Sequence, residues 1–187
     1  LLMSNIKGLP KHLGGHGNVT HIDIGLLSFA INHLKCKSML DIGCGPGGMV
    51  YEARKLGLDA RGVDGDFVTK REKPELFEIH DFTKGKLEHI KTNFDLIWCC
   101  EFIEHVEKKY EDNWMSLMQK GKYVFVTYSE PGKPGHHHVN CEPLHYWIEL
   151  FTKYGFKYRE DLTNQSKKLS TMKREFWNET GLIFERI

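Results

Sequence analysis

Five short apolar runs, each followed by a stretch of different spacing, constrain this chain more than any other feature. The runs are SMLDIG, ARGVDG, LFEIHD, FDLIWCC and YVFVTYS. Apolar runs that alternate with helical patterns are the signature of a parallel sheet with crossover helices. Ahead of the first run, IDIGLLSFAINHL puts Ile24, Leu27, Ala30, Ile31 and Leu34 at helical spacing, with Asp23 as the cap. The end of the chain breaks the rhythm. YWIELFTKYGF reads as a helix ending at Gly155, KYRED as a strand and GLIFERI as a terminal strand, so the sheet is expected to finish in an antiparallel pair. A length of 187 residues fits one domain, placed at 23–187, behind an irregular Gly- and His-rich arm at 1–22.

Charge and cysteine usage narrow the function classes. Lys and Arg number 26 against 25 Asp and Glu, so no global basic field recruits nucleic acid. The local group Lys167, Lys168, Lys173 and Arg174 reads as a solvated face. The five cysteines show no CxxC spacing, which argues against a disulfide framework and points to a reducing, cytoplasmic setting. No run reaches membrane-spanning length, and the opening LLMSNIKG is too short for a secretory segment, with Leu-Leu ahead of Met3 read as an addition.

DIGCGPGG lies between the first run and the helical GGMVYEARKLG. Its glycines permit a tight turn, close backbone approach and helix N–H groups aimed at a ligand. Gly43, Gly45 and Gly48 match the dinucleotide fingerprint G-x-G-x-x-G, so an NAD-dependent oxidoreductase is one alternative. Asp41 weighs against it. A carboxylate there would repel a pyrophosphate by about 1 kcal/mol at ~4 Å in water and by more when buried. The same carboxylate suits a ligand that carries an ammonium and a sulfonium and no phosphate, as S-adenosylmethionine does. Asp64, at the end of the second run, is placed to accept from ribose hydroxyls, and Asp81, at the end of the third, from an adenine amino group.

The series MLDIGCGPGG, GVDGD, HDFT and FDLIWCCEFIEHV resembles class I S-adenosylmethionine-dependent methyltransferases, closest in style to ubiquinone-biosynthesis-like O-methyltransferases. The resemblance covers roughly residues 23–187. It implies an α/β, Rossmann-like fold, with a seven-stranded, mostly parallel sheet, an antiparallel last strand and helices on both faces. The cofactor would lie across the carboxyl ends of the first four strands. Gly43, Gly45, Asp64 and Asp81 match the family's cofactor positions, and Asp41, Cys44, Gly47, Gly65, Asp66, Phe82 and Cys100 join them as the expected cofactor set. Cys99 to Glu101 matches the segment that passes the transferable methyl.

CCEFIEHVEKKY is expected to begin a helix after the fourth strand, which would put Glu101, Glu104 and His105 on one face. Two carboxylates and an imidazole suit a divalent cation that keeps positions open for substrate oxygens. GHHHVN follows the fifth strand at the same edge, so His136, His137 and His138 fall over the methyl. E-x-x-E-H followed by a loop histidine resembles small-RNA 3′-end 2′-O-methyltransferases, where that set binds magnesium. The matching set here is Glu101, Glu104, His105 and, by spacing, His137, for magnesium, manganese or another ion. A metal-free cluster lining the pocket stays open beside it. In either case His105, His136, His137, His138 and Glu101 are the candidate catalytic residues. His12, His16 and His21 in the arm are candidates to close the pocket.

Two chemistries are absent. The fourth strand does not end in Asn/Asp-Pro-Pro-aromatic, the motif of exocyclic amino-methyltransferases, and no Pro-Cys supports a covalent cytosine mechanism. Methyl transfer from a sulfonium is an in-line displacement, so the enzyme's task is alignment, plus removal of the proton when the acceptor is a hydroxyl. The leading expectation is O-methylation of a small hydroxylated molecule, of sugar or phenol type. RNA 2′-O-methylation with a divalent metal and the NAD-dependent oxidoreductase are the alternatives. The expected partner is a small-molecule acceptor, with neither membrane nor nucleic acid called for. The sequence does not set the oligomeric state.

Overall fold

The computed structural model describes residues 8–187, so the part of the arm at 1–7 lies outside the described residues. The arm from residue 8 to 22 contains turns but neither helix nor strand. Helix α1 (Ile24–Asn32) begins at Asp23, whose carboxylate accepts from the Leu26 amide at 2.9 Å. Its buried face centres on Leu26, Leu27, Phe29 and Ala30. Ile24, expected on that face, is 37% exposed. The face is set by contact with the sheet, which helical spacing alone does not orient.

Among the described residues, seven strands form one sheet: β1 (Ser38–Ile42), β2 (Asp59–Asp64), β3 (Phe77–Ile79), β4 (Phe94–Cys99), β5 (Gly121–Val126), β6 (Phe156–Tyr158) and β7 (Leu182–Arg186), in the order β3-β2-β1-β4-β5-β7-β6. The first five are mutually parallel, and β7 runs antiparallel to both β5 and β6. Strand order reverses beside β1, the switch point where ligands of open α/β sheets bind at the carboxyl edge. Asp41 sits there, between Gly62 of β2 and Trp98 of β4.

Both faces are covered. Helices α3 (Glu111–Met118) and α4 (Leu144–Lys153) pack Trp114, Met115, Trp147 and Phe151 on one side. On the other lie α1, α2 (Gly48–Lys55), α5 (Glu160–Lys167) and α6 (Phe176–Thr180), through Leu27, Met49, Val50, Leu162 and Trp177. Such two-sided burial explains why the central strands read as continuous apolar runs.

Two local expectations are corrected. KYRED contributes a strand only as far as Tyr158, and α5 begins at Glu160. CCEFIEHVEKKY does not open a helix after β4. Separate 3₁₀ turns cover Ile103–His105 and Lys108–Tyr110, and α3 begins only at Glu111. The cause is Glu101, which adopts φ +55°, with its amide held by the Thr127 hydroxyl at 2.8 Å. A left-handed residue cannot start a right-handed helix, so Glu101, Glu104 and His105 do not share a helical face.

Candidate active site

The carboxyl ends of β1, β2, β4 and β5 and the loop after β3 open into one cavity of about 430 Å³, which the arm crosses. That volume is in the range of small-molecule sites. At one end the lining includes Asp41, Gly43, Cys44, Gly45, Asp64, Gly65, Asp81 and Phe82, and toward the other come Cys100, Glu101, His105, His136 and His138. Gly47, Asp66, Glu104 and His137 are outside the lining.

The glycine loop has its shape for identifiable reasons. Gly43 has φ +77°, and a Cβ there would lie 2.6 Å from the Phe102 ring. Gly47 has φ +87° as the cap of α2, and a Cβ would meet Phe77 at 2.3 Å. Its place is in the packing of the loop, outside the cavity lining. Asp66 also lies outside the lining. It accepts from the Val68 and Thr69 amides, the Thr69 hydroxyl and His16 Nε2. Burial acts to raise its pKa, but those hydrogen bonds hold it below the usual carboxylate value.

The acids of the lining are already engaged. Asp64 accepts from the Gly45 amide at 2.8 Å and the Asp66 amide at 2.7 Å. Asp81 accepts from the Thr83 amide at 2.9 Å and approaches His12 Nε2 at 3.0 Å. Asp41 is buried, and its pKa is pushed well up by desolvation, with Asp64 adding repulsion. A nearby cation would relieve both effects.

The arm is fastened at several points. His12 meets Asp81, His16 meets Asp66, and the Thr20 hydroxyl accepts from the Gly48 amide at 3.1 Å, capping α2. His21 stands edge-on to Phe176 with ring centroids 4.8 Å apart. Gly15 lies so close to His136 that a Cβ would be 2.8 Å from its ring. His136 Nε2 is buried beneath it without a partner.

Beside the cavity, Glu104, His105 and His138 bring potential ligand atoms within 4.8 Å of one another. His105 Nδ1 is 2.7 Å from the His136 carbonyl, and His138 Nδ1 is 3.0 Å from the Lys133 carbonyl. A carbonyl only accepts, so both rings carry their proton on Nδ1 and, when neutral, keep a lone pair on Nε2. Glu104 is fully buried, and the polar side chain beside its carboxyl group is another carboxyl, that of Glu101. Desolvation pushes its pKa well up, and the neighbouring Glu101 adds to this. Burial lowers His105 to about 4. A neutral imidazole with so low a pKa is a poor proton acceptor near neutrality and a ready metal ligand.

The group that the structure brings together differs from the expected Glu101, Glu104, His105 and His137. His137 adopts φ +49° and turns toward His12, 6.1 Å away between ring centroids, while His138 takes the place beside His105. Glu101 lines the cavity with its carboxylate accepting from the Thr127 hydroxyl at 3.1 Å, and it is not part of the three-residue group. The Glu104 carboxyl and the two fixed imidazoles fit a borderline divalent ion. Sequence reasoning missed Thr20 and Thr127, which carry no motif, and treated His80 as ordinary and Arg174 as part of a solvated face, although both line the cavity.

A methyltransferase-domain family profile matches residues 23–161. Among curated relatives, the mitochondrial ubiquinone biosynthesis O-methyltransferase of Schizosaccharomyces pombe is 33% identical over 106 residues, covering 50% of this chain and 38% of that protein. The ubiquinone biosynthesis O-methyltransferase of Paraburkholderia phymatum is 30% identical over 109 residues, covering 51% and 45%. The matches thus span less than half the length of either relative. Among solved structures, the methyltransferase domain of bacterial-CtHen1-C superposes with TM-score 0.60 at 15% identity, covering 87% of this chain and 95% of that one. Magnesium protoporphyrin IX methyltransferase of Synechocystis with bound S-adenosylmethionine gives 0.58 at 13% identity, covering 87% and 74%. At such identities the structural likeness speaks for the fold.

Proposed function

The chain belongs to the methyltransferase-domain family, and from that premise we propose that it transfers a methyl group from S-adenosylmethionine to the hydroxyl of a small acceptor. The observation that carries this is one cavity lined by three strand-end acids, Asp41, Asp64 and Asp81, and bordered by the Glu104–His105–His138 cluster. Family membership also replaces the dinucleotide alternative, which Asp41 already opposed.

Bound S-adenosylmethionine supplies a methyl on a positively charged sulfur, an electrophile that needs no further activation. Asp64 retains lone pairs for ribose hydroxyls beyond its two backbone bonds, and Asp41 offers a negative charge to the ammonium. For Asp81 to accept from adenine, His12 has to share or yield its place. Glu104, His105 and His138 would hold a divalent ion, which lowers the pKa of a coordinated hydroxyl. His136, with an unpartnered Nε2 at the cavity, is the histidine placed to take the acceptor's proton. The arm excludes water from the reacting atoms.

RNA 2′-O-methylation remains a second reading because the same three ligands could engage the hydroxyls of a ribose end. Calorimetric titration with S-adenosylhomocysteine and NAD tests the cofactor, with micromolar binding of the first and none of the second expected. Preferential NAD binding would overturn the proposal. A methyl-transfer screen over sugars, phenols and short RNAs, with and without chelator, then separates the acceptors.

A further inference from the structure

The loop after β2 carries one arginine, Arg71, whose side chain is only 4% exposed. It stands outside the cavity lining, yet it joins the two loops that form the cofactor end. Its Nε donates to the Gly45 carbonyl at 2.9 Å, and its Nη1 to the Asp66 carbonyl at 3.2 Å. The guanidinium lies 5.4 Å from the ring centroid of Phe77, the ring that Gly47 packs against. Nη2 is buried without a hydrogen-bond partner, 3.7 Å from Asp64 Oδ1. Among the described residues, Arg71 is the one lysine or arginine within salt-bridge distance of Asp41, Asp64 or Asp81.

Burying a guanidinium is costly, and it does not shed its charge as a lysine can. A neutral donor would serve the two carbonyls, so the carbonyls alone do not account for a buried cation. The acids do. Negative charge is crowded at this edge, where Asp64 adds to the repulsion on the buried Asp41. At 3.7 Å, Arg71 Nη2 is too far for a hydrogen bond but near enough to offset the Asp64 charge. Asp64 Oδ1 accepts from the Asp66 amide and Oδ2 from the Gly45 amide, so each oxygen keeps a lone pair for a ribose hydroxyl. His12 does the opposite at Asp81, standing 3.0 Å from the oxygen it approaches. Resting on the proposed role of Asp64 toward the ribose, we propose that Arg71 is a positioning residue for the cofactor. It supplies the counter-charge of Asp64 from behind and, through the Gly45 carbonyl, fixes the glycine loop against that acid.

The test is a double-mutant cycle on the full chain, with S-adenosylhomocysteine affinity read by calorimetry. Arg71→Gln keeps an amide donor for the Gly45 carbonyl and removes the charge, and it should weaken binding about tenfold or more. Arg71→Lys keeps the charge without the fork and should recover part of that loss. Asp64→Asn should weaken binding by itself, and adding Arg71→Gln to it should cost no more than about threefold further, since no carboxylate charge is left to offset. A residue that only props the loop gives the same loss in both backgrounds. That result, or wild-type affinity in Arg71→Gln, overturns the proposal. Should circular dichroism show Arg71→Gln unfolded, Arg71→Lys goes through the same cycle, and a loss that is not smaller beside Asp64→Asn overturns it. Undiminished binding in Asp64→Asn defeats the ribose role of Asp64 instead, and no binding by the wild type defeats the cofactor itself. In either case Arg71 has no cofactor acid to serve, and the proposal falls with its premise.

Discussion

The two ends of the cavity are both built at the carboxyl edge of the sheet, yet they treat their polar groups in opposite ways. At the β1–β3 end, Asp64, Asp66 and Asp81 each accept from backbone amides, and histidines of the arm stand against two of them. At the β4–β5 end, Glu104 is buried against the Glu101 carboxyl with no N–H donor from a side chain, and His136 Nε2 is buried alone. A buried polar group left without a partner costs about 1–3 kcal/mol, and more when charged. The first end is organised mostly by its own chain, with Arg71 Nη2, 3.7 Å from Asp64, its one buried nitrogen without a hydrogen-bond partner among the described residues. At the second, Glu104 has another carboxyl, Glu101, beside it and His136 Nε2 has no partner, an arrangement that suits the bound ion and acceptor proposed above.

Breaking the second end should have the largest effect. Glu104→Ala, His105→Ala and His138→Ala should each abolish manganese binding by calorimetry and lower methyl transfer by about 10²–10⁴-fold, whereas His137→Ala should change neither appreciably. Equal loss in His137→Ala would return the ligand set to the one expected from spacing. Next in size is the arm. Removing residues 1–20 detaches the contacts to Asp81, Asp66 and Gly48 and uncovers His136, so turnover should fall on the order of 10²-fold while the sheet still folds. Full activity of the truncated chain would reduce the arm to a tail.

The contrast also explains what the sequence disclosed. The β1–β3 end repeats a local grammar of apolar run, acid and turn, so Asp41, Asp64 and Asp81 are legible from their neighbours alone. Gly47 and Asp66 look the same in that grammar, and only packing against Phe77 and the 66–69 turn sets them apart. The β4–β5 end depends on how two distant segments meet. Spacing chose His137, whereas the structure puts His138 beside His105, through the left-handed backbone at His137 and the Lys133 carbonyl that orients His138. The helix expected after β4 failed for the same kind of reason, a hydroxyl on β5's extension that fixes the Glu101 amide.

A smaller effect sharpens the first end. Asp64→Ala removes an acceptor for ribose hydroxyls and for the Gly45 and Asp66 amides. S-adenosylhomocysteine affinity should fall by about 1.5–3 kcal/mol, the cost of losing hydrogen bonds to a charged group. Calorimetry reads it directly. Undiminished affinity would mean that the acid serves only the loop.

The smallest effect lies in the stability of the metal-free protein, and its sign is fixed by Glu104. Burial raises the pKa of this carboxyl in the folded state, so above the ordinary glutamate value the folded chain retains a proton that the unfolded chain releases. Stability from this group is fully present at low pH and declines as pH rises through the folded pKa. Glu104→Gln imitates the protonated form and does not titrate. In chelator, the variant should therefore gain on the wild type as pH increases from about 4.5, reaching on the order of 1 kcal/mol near neutrality. Asp41 is raised as well, but it is present in both proteins and cancels. Urea unfolding across that pH range measures the difference. Adding manganese should reverse the ranking, because only the wild type can bind it and be stabilised in proportion to its occupancy. A pH-independent gap between the two proteins would show that Glu104 finds an N–H donor within the chain, and the contrast between the two ends of the cavity would disappear.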